Sequence, residues 1–204
     1  MSYPHGKLAE LLTILLPTII CSVVIWKASG IFHIVEFDSG EYIDFSAHRT
    51  AAYPIIVRSL TTLFQSAYAV ILFQIIIYLV SFVILLLCVQ RRAQSVFITG
   101  SLGLTLSLNI YLQAYHTTIL TESIAFTLSN LCAAILISDW QTGNRNRVLC
   151  FGLCIGLLIA LKPAFISHGL AAFIIVFISN VGSRLGSGRA LVAFACGMFA
   201  VLAV

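Results

Sequence analysis

Apolar runs alternate with short polar breaks along almost the whole chain, and the alternation is far too coarse for strands or for half-buried helices of a soluble domain. Runs of this kind predict helical spans at about Leu8 to Trp26, Tyr68 to Val89, Val96 to Leu112, Ile119 to Ile137, Val148 to Leu161, Ala164 to Val181 and Ala190 to Val204. The expected fold is therefore all-α: a polytopic transmembrane bundle of about seven spans, forming a single domain over residues 1–204. The fifth run is short and Pro163 separates it from the sixth, so these two read either as a tight helical hairpin or as one kinked pair, and a count of five or six stays open.

One polar segment is longer than a simple connection. It runs from Lys27 to Ala67 and holds Glu36, Asp38, Glu41 and Asp44. Asp38 and Glu41 have the spacing of a capping box, which predicts a short helix starting at Asp38. On that helix Asp38, Tyr42, Phe45 and Arg49 recur at intervals of four, three and four and share a face, bringing together a carboxylate, a phenol and a guanidinium. Pro54 suits the first turn of a second helix, with Ile56, Leu60, Leu63 and Phe64 as its apolar face and Arg58, Thr62 and Gln65 opposite. Both helices are expected to lie in the membrane interface.

Composition narrows the class. Of the 204 residues 60% are hydrophobic and 9% charged, and a mean hydropathy of +1.07 exceeds what the core of a soluble domain requires. A net charge of +4, spread over loops, gives no nucleic-acid stripe. The basic residues instead report orientation. Lys7, Arg91, Arg92, Arg145, Arg147, Arg184 and Arg189 fall in one set of alternating loops, and Lys27, Arg49, Arg58 and Lys162 in the other. The positive-inside rule puts the first set, with the N-terminus, in the cytoplasm and the acid-rich loop outside, as in a bacterial inner membrane protein. The first run is long for a signal peptide and reads as an uncleaved anchor, with Ala28, Ser29 and Gly30 leaving cleavage open. The six cysteines all lie in apolar runs and read as small buried hydrophobes. The Gly182 to Arg189 stretch lacks the spacing of a phosphate-binding loop and reads as a flexible inner turn.

Three further polar residues fall at the outer ends of spans. Glu122 begins the fourth, where an acid either faces a polar cavity or complements the helix dipole. His116 reads as a ligand, as a base partner or as a satisfied surface group. Lys162 precedes Pro163, where it either snorkels or points a cation into an outer cavity to hold a phosphate. Asp38, Glu41 and His48 are too loosely spaced to define a metal site, so a divalent metal stays possible without a protein-only site.

Asp38-Ser-x-x-Tyr42 after the first span, Arg49-x-x-x-Tyr53-Pro54 before an apolar helix, Leu120-Thr-Glu122-Ser at a span start, and Gly156-Leu-Leu-Ile-Ala-Leu-Lys-Pro163 come in one order. Together they resemble the GT-C membrane glycosyltransferases, in particular the bacterial group related to dolichyl-phosphate-mannose protein mannosyltransferases and aminoarabinose transferases. The resemblance implies transfer of a sugar from a polyprenyl-phosphate donor to a lipid, glycan or protein acceptor at the outer face. It implies Asp38 as the catalytic base, with Glu41, Tyr42, Arg49, Tyr53, His116, Glu122 and Lys162 around the substrates and Lys162 or Arg49 on the leaving phosphate. That family usually continues into further spans and an outer domain. The last run here stops at Val204 without a flanking charge or aromatic anchor, so the chain is expected to be the N-terminal part of a longer enzyme. A transporter or channel fragment and a truncated non-catalytic membrane protein are the other readings.

Overall fold

A computed structural model describes residues 4–30, 37–44, 50–138, 145–179 and 187–202. The helices are α1 (Pro4–Ala28), α2 (Phe37–Ile43), α3 (Ala52–Phe64), α4 (Tyr68–Ala93), α5 (Val96–Leu108), α6 (Ile110–Ala114), α7 (Thr121–Ile137), α8 (Arg145–Leu161), α9 (Ile166–Ser179) and α10 (Ser187–Leu202), with 3₁₀ turns at Tyr115–Thr117 and Pro163–Phe165. No strand occurs among the described residues.

Helices fall within each of the seven apolar runs, but among the described residues only two are by themselves long and apolar enough to cross a bilayer: Lys7–Ala28 within α1, and α4. A third is at most the bent pair Val96–Leu108 and Ile110–Thr117. The straight span expected from Val96 to Leu112 is thus broken, by 61°. Asn109 makes the break. Its backbone is extended (φ −76°, ψ 91°), and its Oδ1 accepts from the Leu112 amide at 3.1 Å, so it caps a new helix instead of continuing the old one. Asn109→Ala is expected to cost about 1 kcal/mol, read as a lower melting midpoint in detergent.

Much of the outward surface is apolar. Leu8, Leu11, Leu12, Leu15, Leu16, Ile19 and Val23 of α1 are exposed, as are Leu170, Phe173, Ile174 and Phe177 of α9. In water such a surface is a liability; against lipid tails it is the ordinary solvated state, which makes a bilayer the compatible surroundings. Because lipid supplies no hydrophobic drive between helices, close packing and polar contacts must hold them together. Both are present. Ser107 donates to the Pro17 carbonyl at 2.8 Å, joining α5 to α1. The buried Gln113 donates to the Leu106 carbonyl at 2.8 Å and to the Tyr78 hydroxyl at 3.3 Å, and accepts from Cys21 Sγ at 3.4 Å. Asn130 of α7 donates to Ser81 of α4 at 3.4 Å.

The α8–α10 crossing uses small residues. A β-carbon added at Gly152 would strike the Phe194 carbonyl, one at Gly156 the Met198 backbone, and one at Gly197 the Leu149 carbonyl. Gly152-x-x-x-Gly156 therefore lets two backbones touch, the small-xxx-small arrangement of membrane helices. Gly156, which opens the last of the four family-like segments, has a packing reason of its own.

Two expectations about burial change. Of the six cysteines, Cys21 and Cys132 are buried, Cys88 and Cys154 half-buried, and Cys150 and Cys196 exposed, because the latter two fall on outward faces of their helices. On α3 the buried residues are Tyr53, Pro54 and Val57, with Ile56 and Leu60 half-buried. Leu63 and Phe64 are 73% and 60% exposed instead of closing that face. An outward apolar end of this kind suits the acyl boundary of an interfacial helix.

Candidate functional site

The acid-rich loop is tied by hydrogen bonds onto the ends of α7 and α8. Ser39 of α2 is fully buried and donates to the Ile119 carbonyl at 2.9 Å, just ahead of α7. Thr50 donates to the Leu161 carbonyl at 2.8 Å, using one of the carbonyls that the end of α8 leaves without a helical partner. α2 and the start of α3 also meet through Tyr42 and Tyr53, whose rings pack edge to face, centroids 4.9 Å apart.

At the foot of this loop four side chains form a continuous polar series. Lys162 Nζ donates to Glu122 Oε1 at 2.8 Å, and Thr121 Oγ1 donates to Glu122 Oε2 at 3.1 Å. The Tyr42 hydroxyl lies 3.5 Å from Thr121 Oγ1. Since the threonine proton goes to the carboxylate, Tyr42 is the donor in that contact. Glu122 sits in the first turn of α7, where its charge also complements the helix dipole, so the two readings of Glu122 are compatible. Lys162 is fixed by its neighbour: Pro163 disfavours helical backbone at the preceding residue, and Lys162 is extended (φ −151°, ψ 110°), which ends α8 there.

The side chains of Lys162 and Glu122 are 45% and 30% exposed, so solvent reaches the pair and its contribution to stability is small. Glu122→Gln is expected to cost no more than about 1 kcal/mol in thermal unfolding, and Glu122→Lys to cost more than Glu122→Gln, because a cation there opposes the α7 dipole and repels Lys162.

The other expected residues are distributed around this series. Asp38 lies in α2, one residue inside a helix that begins at Phe37 instead of at the expected cap, and Glu41 is half-buried on the same helix. Because α2 ends at Ile43, only Asp38 and Tyr42 of the expected four-residue face are on it. Phe45, His48 and Arg49 lie outside the described residues. Tyr42 and Tyr53 are buried, and the Tyr53 hydroxyl accepts from Gln74 Nε2 at 2.8 Å. Gln74 also donates to the Leu120 carbonyl at 3.1 Å, so one α4 side chain links the α3 helix to the approach to α7. His116 is fully enclosed, not at the surface: Nδ1 is 2.7 Å from Ser123 Oγ, and its ring stacks on Tyr78 at 3.7 Å. The bend at Asn109 carries it under the loop. Tyr53 and His116 thus support the site from within the bundle.

Ser39 and Thr121 enter the sequence reading only as members of quoted segments, without a role, and Thr50 and Gln74 not at all, yet these four make several of the joints. Gln74 had a signal, as a lone amide in a long apolar run; the Thr50 hydroxyl had none. Among the described residues no three of His, Cys, Asp and Glu come together as metal ligands. No protein-family model, curated protein or solved structure matches the chain.

Proposed function

We propose that this chain belongs to a GT-C-type membrane glycosyltransferase with about seven spans. It would take a sugar from a polyprenyl-phosphate donor and pass it to a lipid, glycan or protein acceptor at the outer face of a bacterial inner membrane, the N-terminus lying in the cytoplasm. The observation that supports this reading most is the attachment of α2, which carries Asp38, to the end of the bundle where Glu122 and Lys162 pair. Described residues of all four segments on which the resemblance rests thereby meet, the first two being neighbours in sequence and the other two lying far along the chain.

The chemistry follows from the residue types. The Asp38 carboxylate takes the proton of the acceptor hydroxyl as its oxygen attacks the anomeric carbon. The bond from that carbon to the lipid phosphate oxygen breaks, and the phosphate departs with the electron pair. Lys162 stabilises it. An ammonium has three N–H donors, so its hydrogen bond to Glu122 orients the group while a phosphate shares it. Arg49 supplies a second cation to the phosphate or orients the loop.

An acid-lined transport pathway would need carboxylates inside the spans. The polar residues buried among the described ones are Ser, Thr, Gln and the single His116, with no carboxylate or ammonium. The two readings separate in proteoliposomes of the whole protein supplied with labelled polyprenyl-phosphate sugar. Label appearing in an acceptor fits the glycosyltransferase, whereas solute flux without any glycosyl transfer overturns it.

A further inference from the structure

The turn from α3 into α4 fixes where α3 lies relative to a bilayer. α4 has 26 residues, roughly 39 Å at 1.5 Å per residue, against a hydrocarbon layer of roughly 30 Å. Both of its ends therefore reach the headgroup level when it crosses, Tyr68 at one and Arg91 with Arg92 at the other. α3 stops at Phe64, and Gln65 takes the left-handed conformation (φ 51°, ψ 32°) that turns the chain into α4 within Gln65, Ser66 and Ala67. Arg58 stands six residues before Phe64, a rise of roughly 9 Å, so it stays close to the boundary at which Tyr68 enters.

α3 presents two different faces at that level. Tyr53 and Val57 are buried against the bundle. Ile55, Arg58, Ser59 and Thr62, spaced three, one and three residues apart, form the face turned away from it, and all four are exposed. With Leu63 they line a groove of about 490 Å³. The apolar surface continues past the turn, where Phe64, Tyr68 and Leu72 are exposed as well.

The polar groups of this face have no partner of their own. Among the described residues, no hydrogen bond or ion pair engages the Arg58 guanidinium or the hydroxyls of Ser59 and Thr62, whereas the neighbouring Thr61 returns its hydroxyl to the Val57 carbonyl at 2.8 Å. The sequence has no acid between Asp44 and Glu122, and Glu122 is taken by Lys162 and Thr121. A guanidinium and two hydroxyls on one patch, flanked by apolar side chains and with no carboxylate among the described residues to satisfy them, match a phosphate carried on a hydrocarbon tail. Without such a carboxylate the ammonium of a zwitterionic head finds no partner either, so a head with a net negative charge fits better.

We infer that this outward face of α3 is a binding site for one anionic glycerophospholipid of the leaflet in which α4 begins. The planar fork of Arg58 meets the phosphate oxygens bidentately, Ser59 and Thr62 donate to the same group, and the acyl chains leave past Leu63 and Phe64. The site uses none of the residues assigned to sugar transfer and is independent of that reaction.

The test is native mass spectrometry and thermal unfolding of the detergent-purified protein with added phosphatidylglycerol, phosphatidylcholine, a polyprenyl phosphate or inorganic phosphate. Phosphatidylglycerol is expected to be retained in preference to the other two lipids and to raise the melting midpoint, while inorganic phosphate, which has no tail, leaves the midpoint where it was. Arg58→Gln is expected to lower that retention about fivefold, and Ser59→Ala with Thr62→Ala to lower it as well. All three residues are exposed, so the midpoint without added lipid stays unchanged in these variants. Arg91→Gln, which alters an exposed arginine at the other end of α4, is the control and is expected to retain phosphatidylglycerol undiminished. Equal retention of phosphatidylcholine, equal stabilisation by phosphate alone, an equal loss in Arg91→Gln, or unchanged retention in Arg58→Gln would each overturn the inference. Preferential retention of the polyprenyl phosphate, lost in Arg58→Gln, would assign the groove to the sugar carrier and overturn it too.

Discussion

Asp38→Asn, in the whole protein with its lipid-linked donor, is expected to lower sugar transfer by about 100- to 10,000-fold while expression and helical content stay unchanged. The amide has the shape of the carboxylate and keeps its helix-start preferences, so α2 has no local reason to unwind. Among the described residues α2 is fastened by Ser39 on the Ile119 carbonyl and by Tyr42 against Tyr53 and Thr121. What the substitution removes is a site that can accept a proton. Undiminished transfer with normal expression would eliminate Asp38 as the base. A loss accompanied by a lower melting midpoint would instead assign it to folding, and Asp38→Glu then separates the two, since it restores a base without restoring the geometry.

The second large effect is expected at the α8–α10 crossing and concerns stability alone. Gly152→Leu should destabilise by about 1–3 kcal/mol or more, with Gly152→Ala already unfavourable. The new atoms meet backbone, which cannot rotate aside as a side chain can, so the two helices must separate. Gly100 is the internal contrast. It is also helical, but a β-carbon there would find the Thr13 methyl at 3.6 Å, an ordinary contact. Gly100→Ala is expected to be neutral or to stabilise by up to about 1 kcal/mol, through helix propensity alone. Melting both variants in one detergent checks the pair of predictions. Equal effects at Gly100 and Gly152 would mean that the close α8–α10 approach does not hold in the molecule.

The segments that resemble glycosyltransferase motifs have different explanations in the fold. Gly156 and Pro163 have local physical reasons, a helix crossing and a helix stop. Glu122 and Lys162 find each other, which neither span could have announced, because they are 40 positions apart, one in the first turn of α7 and the other just past the end of α8. A motif made of packing residues and a motif made of site residues look alike when only spacing is visible.

The amino-acid sequence by itself determined the helical class, the positions of the apolar runs, the polar loop and the apolar character that makes a bilayer its compatible surroundings. These follow from composition and periodicity, which are local and additive. Tertiary structure decided the rest. It set the 61° break at Asn109, since a single asparagine either rides along a helix or caps a new one according to what its neighbours pack against. It placed His116 beneath the loop instead of at the surface and turned Leu63 and Phe64 outward. Each of these outcomes depends on which helix lies beside which, and such pairings arise from contacts between residues that are far apart in the chain.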